Sequence, residues 1–365
     1  MGQTGLTGLK ITWLDNITLR NVKGIGSRAG AAGAQFGGEF KYVQDLRIVD
    51  CDFRGFDDRS FWIWRCLNPI VTRSTMGDAN RTGLSYGIQV AAGTFGARIT
   101  KNSFIDCRHG VDFGDNTGVS RGAIVSHNVL SQMREHALST HTASDGTIFD
   151  SNIIYCDPNV ALGGGILDRG RSTKIINNEI FNPGNVGIEV FLNTNVGEDA
   201  LNISGNNIEN CKGTTGISVR KNFPGNDIGR VSVTNNFVHG DSGATGISVR
   251  ADTASIDFVS VNGNAVSSFD DGILLQTTAA ILINMATVCN NTLDTTGSEA
   301  IFVTAGAANS INDITVIGNT VQGTATFGYR GLNDDNVVIV GNNFKVATTP
   351  VATAATSFVN ASNLV

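Results

Sequence analysis

An all-β solenoid, wound as a parallel β-helix of about twelve coils with three short strands in each, is the fold this sequence predicts. Three observations predict it. The first is a repeat: the pattern x-Asn-x-apolar returns as KNSF, HNVL, SNII, NNEI, GNNI, TNNF, GNAV, NNTL, GNTV and GNNF. The repeated residues read as Asn102, Asn128, Asn152, Asn178, Asn206, Asn235, Asn264, Asn291, Asn319 and Asn342, at intervals of 23 to 29 residues. The second is a column of a small residue followed by apolar-x-apolar, as in YGIQV, HGVDF, VGIEV, TGISV and DGILL. Such alternation is that of a half-buried strand. The third is a strand-forming segment just before each Asn, as in ARIT, AIVS, KIIN, VSVT and VVIV.

Each coil then reads in order. A strand leads into the Asn, which turns the chain and forms a ladder of side-chain amides between coils. A second strand follows, and after a small residue (Gly87, Gly110, Ala137, Gly165, Gly187, Gly216, Gly246, Gly272, Ala300 or Gly328) a third. No coil can bury its apolar side alone, whereas stacked coils share one core. Earlier coils follow less strictly, with Cys51 in the Asn position of DCDF, Ser60 in the small position of RSFWIW, and NITLRNV as a coil before them. The β-helix is expected over 1–346, and the Ala/Thr-rich tail 347–365 as a cap or linker. Because open solenoid ends expose strand edges and no amphipathic helix precedes the first strands, a piece of a longer protein is expected.

Composition agrees and narrows the function. Gly is abundant (44), Pro scarce (5), and the net charge is −6 with no basic block, which argues against nucleic acid as a partner. No apolar run approaches the roughly 20 residues of a membrane helix, and the first residues lack the basic-then-apolar layout of a signal peptide. Cys107, Cys156 and Cys211 share a column two coils apart, about 9–10 Å at strand spacing, beyond the reach of a disulfide. Buried free thiols are expected, and no spacing suggests zinc.

The period shows which distant residues are neighbours. The x of each small-apolar-x-apolar strand points outward, giving the row Trp62, Gln89, Asp112, Ser139, Leu167, Glu189, Ser218, Ser248 and Leu274. Two residues on runs a second row, Trp64, Ala91, Gly114, His141, Arg169, Phe191, Arg220, Arg250 and Gln276. Outward Trp62 and Trp64 would stack on sugar rings or be covered by a partner subunit, with Arg108, His109, Arg220 and Arg250 as further binding residues. Arg108, His109, Asp112, Glu135, His136, His141, Asp168, Arg169 and Glu189 fall within four coils. Asp112, Glu135, Asp168 and Glu189 supply the paired carboxyl groups of glycoside hydrolysis. Arg169 and His141 could instead neutralise a uronate carboxylate and remove the proton alpha to it. At GGGILDRG a one-residue slip would exchange the faces, and an outward Asp168 is favoured because a buried unpaired carboxylate is costly. His109 and His136, stacked on adjacent coils, lack a clear third metal ligand. No cofactor is expected, although the carboxylates could bind Ca²⁺.

The NNxI-type ladder and GIxV-type strands resemble the right-handed parallel β-helix proteins of the pectate-lyase-like superfamily. Within it, the acidic chain without visible signal peptide or disulfides, and the stretch FIDCRHGVDFG…HALSTHTASDG, look most like a phage tailspike depolymerase. The resemblance implies a homotrimer in the virion tail or outside the cell, without membrane insertion, acting on an extended polysaccharide of a bacterial surface or capsule. Hydrolysis is the favoured activity. The alternatives are a polysaccharide lyase or C5-epimerase acting on uronic acids, or a carbohydrate-binding β-helix without chemistry.

Overall fold

A computed structural model describes residues 6–26, 35–78, 85–114, 118–157, 159–160, 163–191, 200–221, 228–278, 281–307, 310–345, 347–353, 355, 358–361 and 363. The described residues form strands, turns and no helix, as the repeat predicts. Two compact units divide the chain, Met1–Ile180 and Phe181–Val365.

In the first unit three strand columns stack in parallel. The leading face, before the ladder position, runs Thr18–Arg20, Arg47–Val49, Ile70–Thr72, Arg98–Thr100, Ile124–Ser126, Ile148–Asp150 and Lys174–Ile176. The trailing face, after it, runs Lys23–Ile25, Asp52–Arg54, Thr75–Gly77, Ser103–Ile105, Val129–Met133 and Ile153–Cys156. The glycine face runs Leu6–Thr12, Gln35–Lys41, Arg59–Trp64, Tyr86–Ala91, His109–Phe113, Leu138–Thr140 and Ile166–Asp168. Successive coils place Ile48, Val71, Ile99, Val125, Phe149 and Ile175 in register inside, all but sealed from solvent. Branched residues suit this position because the pleat holds their stiff side chains against the coils above and below.

The second unit repeats the plan. Its leading face runs from Leu201–Ser204 through Ile228–Thr234, Ile256–Asn262, Ile283–Cys289, Ile314–Ile317 and Val337–Val340 to Phe358–Ala361. In its middle coils the trailing and glycine strands fuse into Phe237–Ala251 and Ala265–Thr277. The segment 347–365 contributes Thr349–Ala352 and Phe358–Ala361 to the stack.

The ladder is built of buried amides. In the first unit the backbone N–H groups of Asn102, Asn128 and Asn152 donate to the side-chain oxygens of Asn128, Asn152 and Asn178 at 2.9–3.1 Å. Each side-chain N–H₂ also reaches a carbonyl of the coil before, as Asn128 does to Ile99 at 2.9 Å. Earlier coils substitute shorter groups: Ser74 N–H donates to Asn102 Oδ1, Cys51 N–H to Ser74 Oγ, and the Cys51 thiol to the Leu19 carbonyl. Ser74 extends the column that Cys51 was expected to join.

In the second unit the ladder runs Asn206, Asn236, Asn264, Asn291, Asn319, Asn342, Asn363. Asn236, not Asn235, is the member. Asn235 precedes it with φ +54°, and the residue before each ladder position takes this left-handed conformation, as Lys101, His127, Ser151, Gly205, Gly263 and Asn290 do. Asn tolerates that region better than most side chains, so two adjacent Asn serve different ends. None of the six cysteines forms a disulfide, and Cys289 alone is partly exposed.

Candidate functional site

On the glycine face of the first unit the outward row is Glu39, Trp62, Gln89, Asp112, Ser139, Leu167, in strict register. Beside it, at the bend before the small residue, lies a second row: Phe36, Arg59, Tyr86, His109. Beyond it, Lys41, Trp64 and Ala91 begin a third.

Trp62 and Trp64 point outward, but they are half-buried rather than open. Phe36 stacks on Trp62 at 5.7 Å, Lys41 sits 4.4 Å and Arg59 5.1 Å from its ring, and Arg65 lies 4.5 Å from Trp64. Cations therefore occupy faces expected to be free for sugars, because ammonium and guanidinium groups are drawn to the ring quadrupole. An exposed aromatic surface lies nearby, where Trp13 (72 % exposed) stacks on Tyr42 at 3.8 Å and 5°.

Further along, a hydrogen-bonded chain fixes one carboxylate. Asp58 holds Arg59 at 2.7 Å, Arg59 bonds Gln89, and Gln89 Nε2 donates to Asp112 Oδ2 at 3.1 Å. Asp112 Oδ1 accepts from Ser139 Oγ at 2.7 Å and lies 3.3 Å from His141 Nε2. Asp112 thus faces outward as expected yet is wholly covered, while the His141 side chain stays 38 % exposed. Burial alone would raise the Asp112 carboxyl. The His141 hydrogen bond, the charges of His109 and His141, and the Ser139 hydroxyl outweigh it and hold it at about 2. An ionised, immobile carboxylate behind a solvent-facing imidazole orients that imidazole as a base.

A second knot lies at the bend. Glu135 pairs with Arg108 at 2.7 Å and lies 3.6 Å from His109 Nε2. Burial would raise Glu135, but Arg108 prevails and keeps it below the usual carboxylate range. His109 is buried under Tyr86, the rings 5.6 Å apart, and that burial pushes its pKa down. Its Nδ1 faces the His136 carbonyl, which can only accept, so Nδ1 carries a hydrogen and donates it. His136 is buried at the same position of the next coil, and its carbonyl, the group that faces His109, makes this a structural contact.

Asp168 does not face outward. Leu167 aligns with Ser139 on the outer row, which turns Asp168 into the core beside Thr140, fully buried. Its Oδ1 accepts from the Thr140 hydroxyl, Gly170 N–H at 3.0 Å and Thr173 Oγ1 at 3.1 Å. Burial outweighs these bonds and raises its pKa. The cost of burying a carboxylate is offset by three donors that converge on one of its oxygens. Arg169 is half-buried, with its backbone N–H on Thr140 Oγ1 at 2.8 Å.

Glu189, Arg220 and Arg250 belong to the second unit. Glu189 aligns with Ser218 on the outer row, and Arg220 with Arg250 on the next. Arg250 lies 3.4 Å from Asp252. That unit also holds a carboxyl pair the sequence reading missed. Asp271 and Glu299 occupy the position before the small residue on adjacent coils, the column of His109 in its own unit. Glu299 N–H donates to Asp271 Oδ1 at 3.3 Å, and Arg330 bonds Glu299 Oε1 at 2.6 Å. Burial, then the hydrogen bond and charge of Glu299, raise Asp271 to about 7.

An acid whose pKa is raised on folding binds its proton more tightly folded than unfolded. Stability must therefore fall as pH climbs from about 4 to about 7 and level off above. Asp271→Asn is expected to remove that decline, worth about 1–2 kcal/mol once the half-exposure of the group is allowed for. Urea unfolding of both proteins between pH 4.5 and 8.5 measures the difference.

Among the described residues no group of three or more His, Cys, Asp or Glu side chains could hold a metal ion, and no helix is long and apolar enough to cross a membrane. Residues 86–260 match the family described as the right handed beta helix region, and the fold is a right-handed parallel β-helix. No curated protein sequence matches the chain. Solved structures similar to it include the A-module of a mannuronan C-5 epimerase of Azotobacter vinelandii, at 13 % identity and TM-score 0.35, covering 92 % of this chain and 75 % of that one. A periplasmic alginate epimerase is 12 % identical at TM-score 0.40, over 98 % and 79 %. A tailspike protein of E. coli bacteriophage HK620, in complex with hexasaccharide, is 14 % identical at TM-score 0.43, over 96 % and 71 %. At these identities no residue role passes from them to this chain.

Proposed function

We propose that the glycine face of the first unit acts on an extended, uronate-containing polysaccharide, with His141 removing the proton alpha to a uronate carboxylate. The observation that carries this reading is the contact of partly exposed His141 with the buried, ionised Asp112. Loss of that proton leaves a carbanion delocalised into the carboxylate, which a cation must steady; Arg169, whose backbone N–H meets Thr140 beside His141, is assigned that part. Breaking the C4–O bond then forms the C4=C5 double bond of elimination, the departing sugar oxygen taking a proton from water, whereas return of a proton from water to the other face of C5 gives epimerisation.

Hydrolysis needs one carboxyl protonated at neutral pH beside an ionised partner. On this face Asp112 and Glu135 are both held low, and Asp168, raised by burial, is sealed in the core away from any substrate. Elimination or epimerisation is therefore preferred to the hydrolysis favoured from sequence. The homotrimer and the extracellular or virion-tail setting belong to the same proposal, and the particle mass in solution tests the former.

Incubation with uronate polymers in deuterated water decides the chemistry. Ultraviolet-absorbing unsaturated ends, or deuterium at C5 without chain cleavage, are the expected results. Reducing ends without unsaturation would mean hydrolysis, and retention without reaction a binding protein; either overturns the reading.

A further inference from the structure

Away from the glycine face, the first unit carries a recess of about 310 Å³ along the turn that leads into the leading face. Its position in the coil is the left-handed turn residue: Asn16, Asp45, Asn68, Gly96, Gly122, Gly146 and Ser172 on successive coils, with φ between +51° and +66°. Asn, Asp and Ser satisfy this backbone elsewhere in the same unit, so the conformation alone does not demand glycine at three coils in a row. At Gly96 a Cβ would stand 2.8 Å from Asn68 Oδ1, whereas at Gly122 and Gly146 what glycine leaves is open space. A Cβ built on Gly122 would have nothing within 4 Å.

The outward row beside this recess alternates cation and apolar group: Arg47, Ile70, Arg98, Ile124. Arg47 and Arg98 are exposed, and neither guanidinium group has a hydrogen-bond or ion-pair partner among the described residues. By contrast Arg121, close by, is tied to Asp145 at 3.4 Å. Strand spacing sets the two free guanidinium groups about 10 Å apart at the backbone, one apolar side chain between them. At the near end Asn68 Nδ2 approaches Asp45 Oδ1 at 3.5 Å, leaving acceptors and donors turned to the same space.

We infer that this recess is a second binding site for an acidic sugar residue of an extended chain, remote from His141 along the coil. Free guanidinium groups would take the sugar carboxylate, preferably in bidentate fashion. Ile70 and Ile124 would meet the apolar face of a ring, and Asp45 and Asn68 its hydroxyl groups. A bare inorganic anion fits less well, because the Asp45 carboxylate shares the space. The inference rests on the acidic-glycan reading of the substrate but not on any catalysis by His141.

The test reads binding at this recess, whether or not the sugar is also turned over at His141. A uronate hexasaccharide added to the full chain should slow hydrogen exchange in 92–98 and 118–124, and the carboxyl-reduced neutral hexasaccharide should not. Gly122→Asn keeps a residue that tolerates positive φ while filling the recess. It should weaken protection of these segments at least tenfold in ligand concentration, and Arg47→Ala combined with Arg98→Ala should do the same. Both variants must retain the wild-type circular dichroism spectrum. Equal protection by the neutral sugar, full protection in Gly122→Asn, or protection by inorganic phosphate alone overturns the inference. Because exchange is read on peptides of this recess, failure here leaves the His141 reading standing, and an inactive glycine face leaves this result intact.

Discussion

His141→Ala should lower turnover of a uronate polymer by about 10²–10⁴-fold, the contribution typical of a positioned general base. The loss should fall on kcat with KM little changed, since the imidazole works in the transition state more than in binding. Asp112→Asn should lose a similar factor for a different reason. The amide keeps the shape but removes the ionised oxygen that Ser139 and His141 share. It also sets an N–H donor where an acceptor stood, so the ring loses its orientation. Asp112 stays ionised to about pH 2, so the acid limb of the rate profile should not report this carboxyl. The same lowered pKa has a stability consequence of fixed sign. A depressed folded pKa contributes stability above the unfolded value, near 4, and that contribution is lost as pH falls from there through about 2. If His141→Ala keeps more than half of the wild-type kcat, the proposed base is wrong.

The fold was legible because the sequence repeats one physical problem ten times. Each coil needs an amide to satisfy its neighbour's N–H at the same corner, and that corner set the register of everything downstream. The outward row through Trp62, Gln89, Asp112 and Ser139 follows that register without error. Reading failed where one residue type serves two positions. In TNNF both Asn suit their places, one as a left-handed turn residue and one as the ladder, and only the carbonyls they meet tell them apart.

Asp168 failed for an energetic reason. A buried carboxylate is costly only while charged and unpaired, and Thr140, Thr173 and Gly170 lie 28, 5 and 2 residues away in sequence. Their convergence is tertiary. The tryptophans were placed on the correct face, but what covers them, Lys41 and Arg59, depends on side-chain directions that periodicity does not give. Asp271 and Glu299, by contrast, were within reach of the same ruler: both stand directly before the small residue, as His109 does, and that column was not read as a row.

Gly246→Val should unfold the second unit at markedly lower urea, a loss of about 3 kcal/mol. Intrinsic preference argues for the opposite sign, because valine favours strands and glycine weakens them, and Gly246 lies within the strand Phe237–Ala251. Position decides. A Cβ on Gly246 would stand 2.1 Å from Val266 Cγ1 and 2.8 Å from the Gly272 carbonyl oxygen. One of these is a branched side chain already locked in the core, and the other is backbone. The same crowding recurs one coil earlier, where a Cβ on Gly216 would stand 2.2 Å from Val238 Cγ1 and 2.7 Å from the Gly246 carbonyl. Coil after coil, the small residue lets the strand bend onto the trailing face so that the neighbouring coil can follow. Valine at Gly246 would have to displace both Val266 and the Gly272 backbone, and neither can move without its own coil. Asn202→Val, a half-exposed strand position of the same unit, provides the contrast and should shift stability by no more than about 0.5 kcal/mol. A Gly246→Val midpoint equal to that of Asn202→Val would mean that the coils yield at the bend, and that the small-residue column reflects something other than close approach.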